Sequence, residues 1–316
     1  MTSPAVTCRW GIIGAGDVCE HKGGPPLYQL DGCNLVGVTR RDRSAGEDYA
    51  RRHGPCRYFH SVEALLAEES INCIYVASPP ALHKAHTIAA AAAGKHVLCE
   101  KPMAADSREC LDMVRVCKEQ GVTLAVAYYR RGYPSIQSAK ALLESGAIGE
   151  VRSIWLNTQF PISHRLDLVQ YFCGDITSVF LRGTADEPEL NGTTASGASL
   201  RTSLGFEEKA LTEQVRLEGA DGTLFIDDLK GGSLILKCQA DEKKESFDPL
   251  PATHWGLVEN FRDHLRNGDE LICDGATGCT SSVVLDVVSN LIHQEEELGI
   301  DYNNPPKFNM TQGAMF

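Results

Sequence analysis

The stretch Trp10-Gly11-Ile12-Ile13-Gly14-Ala15-Gly16-Asp17-Val18 decides the fold. A short apolar run enters a turn with two glycines, and a segment able to start a helix follows. That is the strand, tight turn and helix start of a dinucleotide site. Gly14 and Gly16 let the backbone approach a pyrophosphate, and Asp17 and Val18 begin the helix whose N-terminus stabilises it. Cys19 stands where a third glycine is usual. That position serves close helix–strand packing, which a small cysteine tolerates. A tight strand–helix turn with no ligand is the other reading of this motif taken alone.

Working outward, a second apolar run reads His96-Val97-Leu98-Cys99-Glu100-Lys101-Pro102. It places Glu100 and Lys101 at the carboxyl end of a buried strand, where open α/β sheets hold their ligands. Between the two runs, Ser78-Pro79-Pro80-Ala81-Leu82-His83 follows another strand. Its prolines make a rigid, donor-poor turn able to wall a nicotinamide ribose. The strand before that ends in Thr39-Arg40-Arg41-Asp42. An acidic residue directly after this strand would grip the ribose hydroxyls of NAD. Two guanidinium groups suit a 2′-phosphate, so NADP is expected over NAD. Solvated surface arginines are the alternative.

Strand and helix signals alternate from residue 7 to 128. Strands are expected at Cys8–Ile13, 35–39, 73–77, 97–99 and 123–128, and helices at 62–68, 82–93 and 108–120. Asp106 and Glu109 stand at capping-box spacing before the last of these. Such alternation builds a parallel sheet covered on both faces. After Tyr129 a helix over 135–144 gives way to strands at 151–157, 198–206, 212–218, 223–226 and 233–238, and helices near 255–266 and 279–298 close the chain. Consecutive strands predict a mostly antiparallel sheet in a second domain. The expected division is 1–128 and 129–316. Residues 241–245 form a charge run expected at a solvated hairpin tip.

The 316 residues suffice for two domains, and 43% hydrophobic with 23% charged residues describes an ordinary globular protein. A net charge of -12 attracts neither nucleic acid nor an anionic membrane. No stretch is long and apolar enough to span a bilayer, and residues 1–5 carry no secretion signal. The 12 cysteines include no close CxxC pair, so no metal site is written. Reduced core thiols and a cytoplasmic location are expected.

His164 lies in Ser163-His164-Arg165-Leu166-Asp167-Leu168, with Leu166, Val169 and Gln170 at helical spacing. This puts it in a first helical turn with Asp167 one turn on. A histidine there is a plausible proton carrier for an alcohol, although such pairs on helices are more often structural.

Together these residues resemble the Gfo/Idh/MocA oxidoreductase family. Its most specific piece here is Ala93-Gly94-Lys95-His96-Val97-Leu98-Cys99-Glu100-Lys101-Pro102, with Ser78-Pro79-Pro80 and His83 before it. Arg130-Arg131-Gly132-Tyr133-Pro134, 146–151 and 218–224 are similar to later parts of the family. The resemblance implies a Rossmann domain followed by an α/β domain with a large open sheet, often a dimer or tetramer interface. It implies hydride transfer between NAD(P) and a hydroxyl-bearing carbon of a sugar, polyol or related small molecule. Carried over, Lys101 orients the substrate hydroxyl, His164 acts as acid or base, and Glu100 and Pro102 shape the loop beneath the nicotinamide. One departure stands out. The family usually has an aspartate four residues before that histidine, after a glycine-rich stretch, and this chain has Phe160 and a short segment. The chain is also short around 204–207. A nucleotide-binding sensor without turnover is the competing expectation.

Overall fold

The computed structural model describes residues 7–157, 161–183, 188–203, 212–291 and 298–300. The chain divides into two compact units. The first runs to Tyr129 and takes in Pro251–Cys279, and the second comprises Arg130–Leu250 and the chain from Thr280 onward.

The first unit carries six strands: β1 (Cys8–Ile13), β2 (Cys33–Thr39), β3 (Arg57–Phe59), β4 (Cys73–Val76), β5 (His96–Cys99) and β6 (Leu124–Val126). They lie in the order β3-β2-β1-β4-β5-β6, and every pairing is parallel. This is the doubly wound Rossmann sheet, with its direction of winding reversed between β1 and β4. All four residues of β4 are buried, as befits a strand covered on both faces. The helix Ser107–Glu119 starts as its sequence foretells. The Asp106 carboxylate accepts the Glu109 amide at 2.8 Å, and the Glu109 carboxylate accepts the Ala105 amide at 3.3 Å. Cys110, Met113 and Cys117 form the stripe this helix buries.

The sequence division at 128/129 assigns 251–279 to the second domain, and the structure assigns Pro251–Cys279 to the first unit. The cause is packing. Phe261, on the helix Trp255–Asn267, lies ring to ring with Trp10 of β1, centroids 5.2 Å apart, and both are fully buried. Farther on, the Val126 amide donates to the Cys273 carbonyl at 3.1 Å. A Cβ on Gly278 would come within 2.5 Å of Val126, so only glycine lets that backbone close on β6. Pairings across such sequence separations leave no local periodicity to read.

The second unit carries β7 (Val151–Asn157), β8 (Ile176–Gly183), β9 (Pro188–Thr194), β10 (Ser199–Ser203), β11 (Gln214–Gly219), β12 (Thr223–Ile226), β13 (Ser233–Cys238), β14 (Asp241–Ser246) and β15 (Leu298–Gly299). Their order is β14-β13-β12-β11-β7-β10-β9-β8-β15. Only β7 with β10 is parallel, so the sheet is mixed and mostly antiparallel. Strands β8 and β9 are absent from the sequence reading. In β9, Asn191 and Gly192 are poor strand formers, and pairing on both sides overrides that preference. The charge run is the edge strand β14, exposed at all six positions, rather than a hairpin tip. Charged side chains there discourage edge-to-edge pairing with another chain. Of the expected strand 198–206, residues 204–206 lie outside the described residues. The last expected helix is observed at Gly275–Leu291, and 292–297 also lie outside them.

Alternation along β10, β11 and β12 buries one face of this sheet. Leu200 and Leu234 point into the buried side, which removes them from any outer contact surface. Trp155, Arg216, Phe225 and Ile235 are aligned across β7, β11, β12 and β13 on the other side. None of the twelve cysteines forms a disulfide, and ten are buried.

Candidate functional site

Register brings the sequence-predicted residues of the first unit to one edge. Thr39, Ile13, Val76, Cys99 and Val126 are level across β2, β1, β4, β5 and β6. Arg40, Gly14, Ser78, Glu100 and Lys101 therefore leave the sheet on the same side. Strands lie about 4.8 Å apart, so β2 to β5 gives a shelf roughly 14 Å wide.

The two glycines of the first turn serve different ends. Gly14 has φ +90°, and a Cβ there would lie 2.7 Å from the Ser78 backbone. Its amide donates to the Thr39 carbonyl at 2.9 Å. Gly14 is thus required by the packing of the β1 turn against the β4 turn. Gly16 has φ -105°, open to any residue, and the nearest atom to a Cβ there is the Gly14 carbonyl oxygen at 3.8 Å. Neither backbone nor packing requires glycine at this position. What glycine leaves is free space over the backbone, which fits the close approach of a pyrophosphate. Asp17 is exposed and Val18 half-buried at the start of the short helix Asp17–His21. Cys19 is fully buried, its Sγ 3.8 Å from the Gly14 carbonyl oxygen, in the packing role of a third glycine.

Arg40 reaches back over this turn, its Nη1 donating to the Ala15 carbonyl at 2.9 Å. Arg41 is exposed. The nearby acid, Asp42, accepts the Ala45 amide at 3.0 Å and caps the helix Arg43–Arg52. Its carboxylate is engaged in that cap, and Arg40 keeps a guanidinium group beside the turn.

Ser78 is buried, whereas Pro79 and Pro80 are exposed on the rim. His83 is buried behind them. Its Nε2 lies 2.6 Å from the Ser78 carbonyl oxygen and its Nδ1 2.9 Å from that of Pro102. This histidine ties the turn after β4 to the turn after β5, with both ring nitrogens occupied. The Ser78 hydroxyl lies 2.9 Å from His86 Nδ1, and burial holds that imidazole below the usual histidine range.

Glu100 is 7% exposed, yet its carboxylate is well provided with donors. Oε1 accepts the Tyr75 hydroxyl at 2.5 Å and His254 Nε2 at 2.7 Å. Oε2 accepts the Lys101 amide at 3.1 Å. Burial pushes this carboxyl up, but the charge and hydrogen bond of His254, the Tyr75 hydroxyl and the Lys101 charge outweigh it and hold it down at about 2. Lys101 is half-buried, and the Lys101–Pro102 peptide is cis.

In the second unit, His164 sits in the first turn of the helix Ile162–Cys173, as its spacing predicts, and is buried. The spacing also offers Asp167 as its partner, but the structure gives both Asp167 oxygens to Arg131, at 3.0 and 2.7 Å. Ser281 adds a third donor at 3.2 Å. Burial pushes the Asp167 carboxyl above the usual aspartate range against the pull of Arg131. Phe160 lies outside the described residues. Lys101 belongs to the first unit and His164 to the second.

Sequence reasoning missed Tyr75, His254 and the pairing role of Arg131. Tyr75 carried a usable signal, since a phenol in a fully buried strand needs a hydrogen-bond partner. Nothing local marks His254. Among the described residues no cluster of His, Cys, Asp and Glu could hold a metal ion, and no helix is long and apolar enough to cross a membrane.

Comparison with known proteins agrees with this arrangement. Residues 8–128 match the family model described as oxidoreductase family, NAD-binding Rossmann fold. The chain is 40% identical over 145 residues to Oxidoreductase P35 of Formosa agariphila, covering 46% of this chain and 45% of that protein. It is 32% identical over 158 residues to trans-1,2-dihydrobenzene-1,2-diol dehydrogenase of Mus musculus, covering 49% and 47%. In these matches the chain spans less than half the length of either relative. In three dimensions it superposes on aldose-aldose oxidoreductase of Caulobacter crescentus with a TM-score of 0.82, covering 93% of this chain and 100% of that one at 19% identity. At that identity the likeness speaks for the fold. Residues 8–128 of this chain are thus similar to the NAD-binding Rossmann fold of the Gfo/Idh/MocA oxidoreductase family.

Proposed function

We propose that this chain is an NAD(P)-dependent oxidoreductase acting on a CH–OH group of a sugar, polyol or diol. The observation that carries the reading is Gly16, a glycine demanded by neither its backbone angles nor its packing, on the same sheet edge as Lys101. When bound, NAD(P) supplies the acceptor or donor of the hydride. The chain's own residues do the rest. Gly14 and Gly16 admit the pyrophosphate, with Asp17 and Val18 opening the helix beside it. Ser78, Pro79 and Pro80 wall the ribose, while His83 and Glu100 hold the turns that form the wall. Lys101 presents an ammonium that stabilises a developing alkoxide. His164, on its own helix in the second unit, is assigned the part of acid or base. The names of the diol dehydrogenase and the aldose oxidoreductase support this substrate class. The aligned row of Trp155, Arg216, Phe225 and Ile235 supports a homodimer or homotetramer formed through the open sheet.

Arg40 and Arg41 favour NADPH over NADH, because a charge-assisted hydrogen bond contributes about 1.5–3 kcal/mol. Replacing them with aspartate and serine should erase or reverse that preference. Equal affinities in the parent protein would remove this assignment.

Lys101→Met tests the chemistry. Methionine keeps the length and apolar stem but removes the charge and its donors. The variant should fold, bind NADPH as the parent does, and lose about 10²–10⁴-fold in turnover on any diol or sugar the parent accepts. Near-parental turnover would overturn the role of Lys101.

A further inference from the structure

Beside Lys101, one buried carboxylate gathers donors from three parts of the chain. Glu100 Oε1 accepts Tyr75 from the neighbouring strand β4 and His254 from 154 residues downstream. Its other oxygen accepts the amide of Lys101 itself. Both partners of Oε1 are fully buried and cannot drift. The His254 ring stacks on Tyr129, centroids 4.5 Å apart and planes 29° apart. Its far nitrogen, Nδ1, lies 2.9 Å from the Thr253 hydroxyl. With Oε1 fixed by two anchored donors, the direction of Oε2 is fixed too, and with it the peptide plane that carries Lys101.

We propose that His254, with Tyr75, is a positioning residue that holds the Lys101 backbone in place through the Glu100 carboxylate. The proposal rests on the role given to Lys101 above. What the imidazole adds is direction. A lysine has a long flexible stem, so its ammonium can be placed reproducibly only if its Cα is held. Glu100 is ionised at neutral pH in this setting, which keeps both of its oxygens as acceptors.

Two variants separate positioning from bulk. His254→Leu removes the donor. His254→Gln restores an N–H at about the position of Nε2 without a ring. In protein carrying 15N-lysine, the Lys101 amide resonance is assigned from its loss in Lys101→Arg. Amide hydrogen exchange at Lys101 should be at least about tenfold faster in His254→Leu and return close to the parent in His254→Gln. The Lys95 amide, bonded to the Ala90 carbonyl at 3.0 Å before the start of β5, should not change in either. Unchanged exchange at Lys101 in His254→Leu overturns the proposal, and so does an equal acceleration at Lys95. These readings need no substrate. If the parent protein turns over no diol or sugar, the function proposed above fails while the positioning proposal is still decided. Where turnover is found, His254→Leu should lower kcat by about 10²-fold with little change in KM, and His254→Gln should recover most of it.

Discussion

Glu100 and Asp167 are both buried carboxylates, and their surroundings drive them in opposite directions. Glu100 is held down at about 2 and Asp167 is pushed up, although Asp167 has a guanidinium bonded to both oxygens. Burial is the largest influence on each. At Glu100 it is outweighed by the charge and hydrogen bond of the His254 imidazole, the Tyr75 phenol and the charge of Lys101. At Asp167 one cation and one hydroxyl do not outweigh it. The sum of nearby charges and hydrogen-bond donors, set against burial, decides the character of a buried carboxylate. The first arrangement keeps an ionised carboxylate beside a candidate reacting group. The second closes the buried face of a helix.

The largest effect expected from this contrast is on stability in the second unit. Asp167→Asn leaves the Arg131 guanidinium buried without its counter-charge, at a cost of about 3–5 kcal/mol. Urea unfolding followed by circular dichroism measures it. A loss below about 1 kcal/mol would show that the pair is better solvated than its burial indicates.

A smaller effect separates the two sites by pH. A carboxyl held below its ordinary 4.5, as Glu100 is, contributes stability above that value. The contribution is lost as pH falls from 4.5 towards about 2 and is on the order of a few kcal/mol. A carboxyl held above its ordinary value, as Asp167 is, binds its proton more tightly when folded. Its contribution is present in acid, below the unfolded pKa, and is lost as pH rises through the folded one. Unfolding free energies measured across this range should fall in acid for the parent. They should fall less steeply for Glu100→Gln, and at least as steeply for Asp167→Asn. An unaltered acid limb in Glu100→Gln would break the comparison.

The same two sites show how far the sequence could be read. Glu100 and Lys101 were legible because strand and turn are contiguous, and the order of apolar runs gave the parallel sheet that lines them up with Gly14 and Arg40. Their helper His254 was not, because it arrives from 154 residues away with no pattern of its own. The same distance effect moved Pro251–Cys279 into the first unit, where Phe261 meets Trp10. His164 and Asp167 were placed on the right helix by a period of 3.6, but spacing along a helix could not foresee that Arg131 would take both Asp167 oxygens. Strand β9 escaped for another reason: with Asn191 and Gly192 in its run, pairing on both sides and not its own composition makes it a strand, whereas β8, with Ile176, Thr177, Val179 and Phe180, carried a usable signal.

On the reading proposed above, the carboxyl edge of the six-stranded sheet receives a dinucleotide over Gly16. Isothermal titration of NADPH into the parent protein and into Gly16→Leu tests it most directly. The backbone at this position accepts leucine, and a Cβ there meets nothing closer than 3.8 Å, so the variant should fold with an unchanged circular dichroism spectrum. Saturable binding to one site is expected in the parent, with a loss of affinity of at least about tenfold in Gly16→Leu, equivalent to about 1.4 kcal/mol. A parent that binds neither NADPH nor NADH, or a folded Gly16→Leu that binds as tightly as the parent, would contradict it.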